Sequence, residues 1–395
     1  MRSYSASEFD PFSEAYLSSP YPFHEQLRAA GSVSHFAAYD VYGIIRHKDV
    51  AAALGDWKTF SSADGVGLER FSEGTMRRTQ SLLLEADPPN HTAMRAVIGR
   101  VLSPLVIRQL RSRFEEEAGQ LVDRLLDLRE FDAVKDMAEF FPVKVFPDAM
   151  GLGLEGREKL LPFSDMVFNA FGPENDIYER SDKIGRPVVE WLLDQTKMEN
   201  LAPGGLGRQI WDAALRGEIA EREAASVIRS LLTAGMDTTV NGLAHAVLAF
   251  ASYPAEWQRL VDNPSLIRPS FDEIVRWESP IHSILRTTTS EVVVGEHVIP
   301  AKVKVILFLG AANRDPDRWE DPNDVRIGRD TQGHVAFGTG IHGCLGQLIA
   351  RLEAEVIFAQ FIRRVRSFEL TGEPVWRLNN ALRGLSSLPV RILPN

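Results

Sequence analysis

The chain has 395 residues, of which 44% are hydrophobic and 25% are charged, and it contains a single cysteine. This composition is typical of a folded globular protein and excludes disordered, collagen-like and disulfide-framework classes. The 44 Lys and Arg residues against 54 Asp and Glu residues give a net charge of −10, which disfavours nucleic acid and anionic membrane surfaces as partners.

The predicted elements form one body over residues 1–395, because no Ser/Gly-rich or charged linker divides the chain. Alternating β-branched and aromatic residues predict a short strand pair within 33–47, followed by a helix over 48–54. A loop rich in Ser and Gly at 61–75 is a candidate binding loop or lid, because compact domains rarely leave such a length unstructured without a functional reason. Helical patterns separated by Pro and Gly then follow at 91–102, 105–128, 135–150, 156–170, 178–197 and 208–216.

A long helix is predicted over Glu221–Ala251, a segment without proline. Its middle places the poor helix former Gly235 beside Asp237 and Thr238, which is unusual for a core helix. Strands are predicted within 292–308, a further long helix over 344–366 and a last strand over 385–393. The sequence thus predicts a mainly α protein whose minor β region lies near 33–60 and 284–310 and in C-terminal strands. With no signal-like start and no apolar run of about 20 residues, it is expected to be cytoplasmic.

Two glycine patterns match the dinucleotide fingerprint, GLGLEG at 151–156 and GTGIHG at 338–343. Neither follows a hydrophobic strand within a βαβ unit, so an NAD-dependent dehydrogenase is a distant alternative. The second pattern is better interpreted with Cys344, which lies just before a predicted helix. Free N–H groups at a helix start stabilise a thiolate, so we expect a lowered thiol pKa that suits iron ligation.

Four positions around this cysteine carry a family resemblance. The motif F-x-x-G-x-x-x-C-x-G is matched at Phe337, Gly340, Cys344 and Gly346. Because this motif is typical of the cytochrome P450 family of haem-thiolate monooxygenases, the sequence resembles that family. The resemblance implies a triangular, mainly α-helical fold and haem b (iron protoporphyrin IX) as the cofactor. It also implies that Cys344 is the iron ligand, with Phe337 and Gly346 beside the haem.

Further resemblances follow in the family's order. Glu273 and Arg276 match E-x-x-R, a pair that the family buries with an arginine of a later meander, which here corresponds to Arg329. The resemblance implies that four donors bind the haem propionates: His91, Arg95, Arg286 and His342.

The long helix matches the family's A/G-G-x-D/E-T motif at Gly235, Asp237 and Thr238. By this resemblance the Thr238 hydroxyl weakens the local helix hydrogen bonding and makes room for O₂ and water. Asp237 would be the proton source.

Several segments, including 78–89, 167–173 and 229–235, resemble the bacterial branch that oxidises para-substituted benzoic acids, notably 4-methoxybenzoate. The resemblance implies a carboxylate site and an aromatic pocket, with substrate-binding residues Arg78, Ser81, Phe168, Phe171, Arg229, Ser230 and Thr233. The spacing of Ser230 and Thr238 agrees, because i and i+8 share a helix face and are ~12 Å apart along the axis, which is room for one substituted ring.

The most specific function that these patterns indicate is O-demethylation of 4-methoxybenzoate to 4-hydroxybenzoate and formaldehyde. O₂ would be the co-substrate, and two electrons would come from a ferredoxin and a ferredoxin reductase on separate chains. Alternative substrates are another small aromatic, such as a guaiacol-type methoxyphenol, or a terpenoid. A peroxide-driven haem enzyme and a non-catalytic haem sensor are more distant alternatives.

Overall fold

The computed structural model describes residues 9–74 and 77–395 and is mainly helical, as the sequence predicts. Thr75, the last residue of the predicted 61–75 loop, lies outside the described residues. The described helices, in chain order, are α1 Glu14–Ser18, α2 Tyr21–Ala30, α3 His47–Gly55, α4 Asn90–Val101, α5 Pro104–Leu128, α6 Phe140–Met150, α7 Leu160–Asn169, α8 Asp176–Gly185, α9 Val189–Gln195, α10 Leu206–Leu215, α11 Glu221–Ser252, α12 Pro254–Asp262, α13 Ile267–Trp277, α14 Leu309–Ala312 and α15 Gln347–Arg364.

The strands are short and gather in small sheets. They are β1 Val33–Phe36, β2 Val41–Ile44, β3 Phe60–Ser61, β4 Glu130–Asp132, β5 Ile284–Thr288, β6 Val292–Val294, β7 His297–Ile299, β8 Lys304–Leu307, β9 Val365–Leu370, β10 Val375–Arg377, β11 Gly384–Ser387 and β12 Pro389–Pro394. A five-stranded sheet has the order β1-β2-β8-β5-β3, with β2 parallel to β8 and Val41 opposite Lys304. The β10–β11 hairpin comes from the C-terminal region, whereas the three-stranded sheet β4-β12-β9 joins the C-terminal strands β9 and β12 to β4.

Helix α11 passes through the largest hydrophobic cluster and packs against α6, α7, α10 and α13. At its start, the Glu223 carboxylate accepts a hydrogen bond from the Ala220 backbone N–H (2.9 Å), which satisfies a donor that the helix leaves free. It ends at Ser252 because Pro254 cannot continue the hydrogen-bond pattern. This helix therefore runs one residue further than predicted and forms a rigid wall beside the cavity described below.

Three predicted elements are divided in the structure. The predicted helix 178–197 is α8 and α9 with a 3₁₀ turn between them, because Pro187 interrupts the helical pattern. The predicted helix 344–366 begins only at Gln347, since Cys344 lies in an irregular loop, and its last residues join β9. The predicted strand 385–393 is β11 and β12, which pair with different neighbours.

The described part of the 61–75 segment is an ordered loop. It follows β3 and forms a 3₁₀ turn over Phe71–Glu73. Lys304 stabilises it, because its Nζ donates to the carbonyls of Asp64 (2.8 Å) and Gly65 (2.7 Å). Among the described helices, none is both long and apolar enough to cross a bilayer.

Candidate active site

A cavity of about 330 Å³ lies between the middle of α11 and the loop that carries Cys344. This volume is within the range of small-molecule sites. Its walls are mainly apolar and include Leu83, Phe163, Val167 and Ile284. The cavity also brings together most of the sequence-predicted site residues: Arg78, Ser81, Arg95, Phe168, Phe171, Arg229, Ser230, Thr233, Thr238, Arg286, Phe337, His342, Cys344 and Gly346.

Cys344 is fixed by a glycine-rich turn. Its N–H donates to the Phe337 carbonyl (2.8 Å), and the turn needs φ of +64° at Gly338 and +68° at Gly340. A Cβ at Gly340 would come within 2.8 Å of the Leu54 carbonyl oxygen, so a larger residue there would displace the loop. The glycines thus place the sulfur at the cavity wall, three residues before α15 begins.

The expected lowering of the Cys344 pKa is wrong for the protein alone. Burial raises the pKa of the thiol, and this effect exceeds the opposite effects of the Gly346 and Gln347 N–H groups and of Arg95. Desolvation penalises the thiolate more than a few backbone dipoles stabilise it. A coordinated metal cation would supply the charge that stabilises the thiolate.

Four predicted propionate donors lie near this loop, and among them His342 has a carboxylate within 4 Å, since its Nε2 is 3.9 Å from Asp87 Oδ1. The ring nitrogens of His91 and His342 are buried and have no hydrogen-bond partner, and the two rings are 4.5 Å apart. His91 does not itself line the cavity. Arg286 on β5 is buried with no described carboxylate within 4 Å, and its desolvation lowers its pKa to about 10.

The Arg95 Nη2 donates to the Gly343 carbonyl (2.6 Å) and so lies against the loop of Cys344. Arg95, Arg286, His91 and His342 could therefore donate to the two propionates of haem, and Cys344 could bind its iron. Within the described residues no group of three or more His, Cys, Asp or Glu side chains could hold a bare metal ion. The donors present fit haem rather than an ion bound by side chains alone.

Asp237 and Thr238 are adjacent on α11 but point in different directions. The Thr238 hydroxyl lines the cavity and donates to the Ala234 carbonyl one turn earlier (2.7 Å). The Asp237 side chain is buried behind the wall, where its Oδ1 accepts a hydrogen bond from Arg377 Nη2 (3.0 Å). Its Oδ2 is buried without a partner. Arg377 also lies 3.6 Å from Asp165, whose pKa is raised, chiefly by burial.

The two predicted carboxylate-binding arginines differ in their partners. Both terminal nitrogens of Arg78 contact the Glu85 carboxylate, one at 2.6 Å, so only its buried Nε remains unpaired. Arg229 donates to the Ser226 hydroxyl (3.2 Å), and no described carboxylate lies within 4 Å of it. Burial lowers the pKa of Arg229 accordingly.

Hydroxyl groups connect these arginines. Ser81 Oγ lies 3.3 Å from Ser230 Oγ, which joins the 77–85 segment to α11. The Thr233 hydroxyl instead donates to the Arg229 carbonyl of its own helix (2.8 Å). Phe168 and Phe171 meet edge to face with centroids 5.4 Å apart, and the Arg78 guanidinium lies 4.6 Å from the Phe171 ring centre. The cavity thus has an aromatic wall next to a cluster of donors.

Outside the cavity, Glu273 and Arg276 form a buried ion pair with a shortest distance of 2.7 Å. Arg329 joins it, 3.1 Å from the Glu273 carboxylate. Arg276 further donates to the carbonyls of Asn313 and Pro322 (both 2.9 Å). The cluster ties α13 to the segment that leads to the Cys344 loop.

Sequence reasoning did not identify Glu85 and Arg377 as parts of the site. Glu85 lies in the 78–89 segment, seven residues after Arg78, and an acid so close to a predicted anion-binding arginine is a signal that could have been used. Arg377 is 140 residues from Asp237 and reaches it through the β10–β11 hairpin. Such a contact has no local sequence signal.

Comparison with known proteins gives relatives along nearly the whole chain. The family profile described as cytochrome P450 matches residues 212–393. Cytochrome P450 CYP199A2 of Rhodopseudomonas palustris is 48% identical over 386 residues, which cover 98% of this chain and 94% of that protein. Cytochrome P450 107B1 of Saccharopolyspora erythraea is 32% identical over 366 residues, 89% of each chain. The solved structure of cytochrome P450 CYP109Q5 from Chondromyces apiculatus is 29% identical, with a TM-score of 0.83 over 99% of this chain and 100% of that one.

Proposed function

Since the chain belongs to the cytochrome P450 family and is a monooxygenase, we propose that it O-demethylates 4-methoxybenzoate. The balanced reaction consumes the substrate, O₂, two electrons and two protons, and it yields 4-hydroxybenzoate, formaldehyde and water. The observation that carries this choice is Arg229, a partly buried cation that lines the cavity with no described carboxylate within 4 Å. A partly desolvated charge is stabilised by a counter-charge, and a benzoate supplies one.

Haem, the cofactor of this family, supplies the iron at which O₂ is activated. In the proposed site Cys344 binds the iron, and Arg95, Arg286, His91 and His342 donate to the propionates. The mainly apolar walls exclude bulk water from the reacting centre. The hydroxyl of Thr238 would accept a hydrogen bond from a water at the wall, since its bond to Ala234 occupies its proton but leaves an oxygen lone pair free.

Substrate orientation follows from the two ends of the cavity. Ser81, Ser230, Arg229 and the Nε of Arg78 would bind the carboxylate, while Phe168 and Phe171 contact the ring. Because Ser230 and Thr238 are ~12 Å apart along α11, the para methoxy carbon of a bound benzoate lies near Thr238. Hydroxylation of that carbon gives a hemiacetal, which breaks down to the phenol and formaldehyde.

Asp237 is proposed to relay protons toward Thr238. Its carboxylate has one oxygen bonded to Arg377 and one without a partner, so a rotation about its side chain exchanges the Arg377 contact for the cavity side. Proton transfer by a positioned carboxyl group typically accelerates such a step by about 10² to 10⁴.

The electron donor is proposed to be a ferredoxin, itself reduced by a ferredoxin reductase. Arginines surround a groove between the start of α5 and α15, next to the loop of Cys344: Arg108, Arg111, Arg268 and Arg351. Arg108 and Arg268 are exposed and have no described carboxylate within 4 Å. On a chain of net charge −10 this local positive surface favours an acidic partner near the iron ligand.

The test is binding of 4-methoxybenzoate, neutral 4-methoxytoluene and 2-methoxybenzoate, followed by the haem spin-state change and by calorimetry. We expect the acid to bind about thirtyfold more tightly than 4-methoxytoluene, a difference of roughly 2 kcal/mol. The ortho isomer should bind without yielding formaldehyde. Equal affinity for the acid and the toluene would exclude the aromatic-acid substrate and favour a neutral methoxyphenol or terpenoid.

A further inference from the structure

Behind the carboxylate end of the cavity lies a buried negative charge, that of Glu85, which does not itself line the cavity. Glu85 is fully buried, and its two oxygens contact both terminal nitrogens of Arg78. They also accept the backbone N–H groups of Val66 and Ser81, each at 3.0 Å. Four donors from three residues therefore hold this carboxylate in place, and it compensates the charge of Arg78.

The loop that provides the Val66 donor is itself anchored. Lys304 donates to the carbonyls of Asp64 and Gly65 directly before Val66, and it does not line the cavity. Glu85 is thus positioned by the protein in the absence of any substrate. It would remain beside the anion-binding groups when a substrate arrives.

The other charged groups along the cavity are compensated elsewhere. Arg77 contacts Glu69 and Arg186 contacts Asp182. Glu353 is buried with no described cation beside it, and burial raises its pKa well above its usual range, which favours the neutral form. At the haem end, the two positive charges of Arg95 and Arg286 would be compensated by the two propionates of haem. Among the described residues that line the substrate end, Arg229 remains as the one positive charge without a carboxylate within 4 Å.

We infer that Glu85 determines substrate charge by limiting the site to ligands with one negative charge; this inference rests on the proposed function. With Arg78 compensated by Glu85, only Arg229 is left to balance the ligand. A neutral ligand that fills the cavity removes water from the partly buried Arg229 without supplying a counter-charge, which is unfavourable. A dianion brings a second negative charge next to the buried Glu85 carboxylate, and like charges in a low-dielectric site repel strongly. Glu85 is a specificity-determining residue, because it acts on the ligand through charge and through Arg78.

The test uses two ligands of the same shape and different charge, 4-methoxyphenyl sulfate (−1) and 4-methoxyphenyl phosphate, which is a dianion at pH 8 because its second pKa is about 6. Dissociation constants are measured by calorimetry on the haem-loaded protein. The wild type should prefer the sulfate. Glu85→Gln keeps an acceptor for Val66 but frees Arg78, so the sulfate-to-phosphate preference should shift by about tenfold or more toward the phosphate.

The matched control is Glu73→Gln. It removes a negative charge from the loop that carries Val66, at a position where the side chain is 65% exposed. It should leave the preference unchanged, because solvent screens that charge. An unshifted preference in a Glu85→Gln protein that still binds the sulfate would overturn the inference, as would an equal shift in the control.

Arg229→Gln provides a second test that does not require Glu85 to be changed. It should bring the affinities for 4-methoxybenzoate and neutral 4-methoxybenzamide within about threefold of each other, since no uncompensated charge is left. The double variant Glu85→Gln/Arg229→Gln exposes Arg78 instead and should restore the preference for the acid. If the double variant binds the acid no better than Arg229→Gln does, the charge balance is wrong. Should the wild type itself not prefer benzoate to benzamide, the proposed function fails, whatever the variants do.

Discussion

At the residue scale, Cys344 allows the most direct test of the site. The glycine turn places its sulfur at the cavity wall, but burial raises its thiol pKa, so a thiolate there would need a bound cation such as the haem iron. We expect the reduced protein with CO to have the strongly red-shifted absorption of thiolate ligation, and Cys344→Ser to lose it. The reference is wild-type protein prepared in parallel. A wild-type spectrum typical of histidine-ligated haem would contradict the assignment of Cys344.

Because Thr238 lines the cavity and Asp237 is buried behind its wall, substitutions of the two residues should affect the reaction differently. Thr238→Ala removes the hydroxyl at the cavity wall without changing the carboxylate site, so substrate binding should stay within about twofold while reducing equivalents are diverted to hydrogen peroxide. Asp237→Asn should slow product formation by about tenfold or more. Measurement of formaldehyde and peroxide per electron pair separates the two effects. Unchanged rate and coupling in both variants would exclude the proton relay.

Residue identities along one segment were accessible from the sequence, whereas pairings between distant segments were not. The spacing around Cys344 and the i, i+8 relation of Ser230 and Thr238 depend on local geometry, which a motif encodes. The direction of the Asp237 side chain depends on Arg377, which arrives through a separate hairpin. The expected thiol pKa was wrong because a motif reports nearby donors but not the depth of burial.

At the scale of elements, the Glu273–Arg276–Arg329 cluster joins α13 to the chain that leads to Cys344. Glu273→Ala leaves the fully buried Arg276 without a carboxylate, and this should lower the free energy of unfolding by about 3–5 kcal/mol. Arg326→Met is the control, because its side chain is 40% exposed, its described carboxylate partners are the surface residues Glu320 and Asp321, and its backbone bond to Glu273 is retained. Urea unfolding of both variants measures the difference. A loss below about 1 kcal/mol for Glu273→Ala would show that the cluster is solvated.

Element positions followed from periodicity where one residue type decides the boundary. The long α11 was predicted because no proline interrupts it before Pro254, and the strand pair at 33–47 because its residues alternate. Boundaries failed where tertiary contacts decide them. The start of α15 is delayed by the glycine turn that positions Cys344, and β11 separates from β12 because each has a different partner strand.

For the molecule as a whole, three buried histidines should make stability depend on pH. Burial lowers the pKa of His282 to about 3 and that of His245 to about 4, and it lowers the pKa of His24 well below its usual value. The positive charges of Arg383 and Arg314 lower these pKa values further, whereas the negative charge of Glu278 raises those of His245 and His282. Below pH 6.5 the unfolded chain binds protons that the folded chain does not, so stability should fall between pH 6.5 and 4, by roughly 3 kcal/mol for a histidine shifted to about 4.

Urea midpoints at a series of pH values measure this dependence. His282→Gln should flatten the slope between pH 6.5 and 4, since it removes one of the groups that titrate only on unfolding. The exposed His297→Gln is the matched control and should keep the wild-type slope. A parallel slope in the His282 variant would contradict the prediction.

The positive groove near Cys344 should govern electron delivery for the whole molecule. Arg108→Glu and Arg268→Glu reverse exposed charges there, so ferredoxin-dependent reduction should slow by about tenfold at low salt, with a weaker salt dependence than in the wild type. Chemical reduction of the same variants should proceed at the wild-type rate. Arg326→Glu, an exposed arginine outside the groove, serves as the control. Equal slowing in all three variants would exclude a localised docking site.

Helix α11 carries Ser230 and Thr238 on one continuous backbone, and this has a consequence for which molecules of a given chemistry are oxidised. Because the axial distance between Ser230 and Thr238 on α11 is fixed, a substrate is oxidised efficiently only if the distance from its carboxylate to its reacting carbon matches that length. A methylene inserted between ring and carboxylate and one inserted between ring and ether oxygen lengthen the molecule equally. Both displace the reacting carbon, and a misplacement of about 1 Å can cost about a hundredfold in rate. The oxidation rate would thus depend on the total length of the acid and not on where along the molecule the extra methylene is inserted.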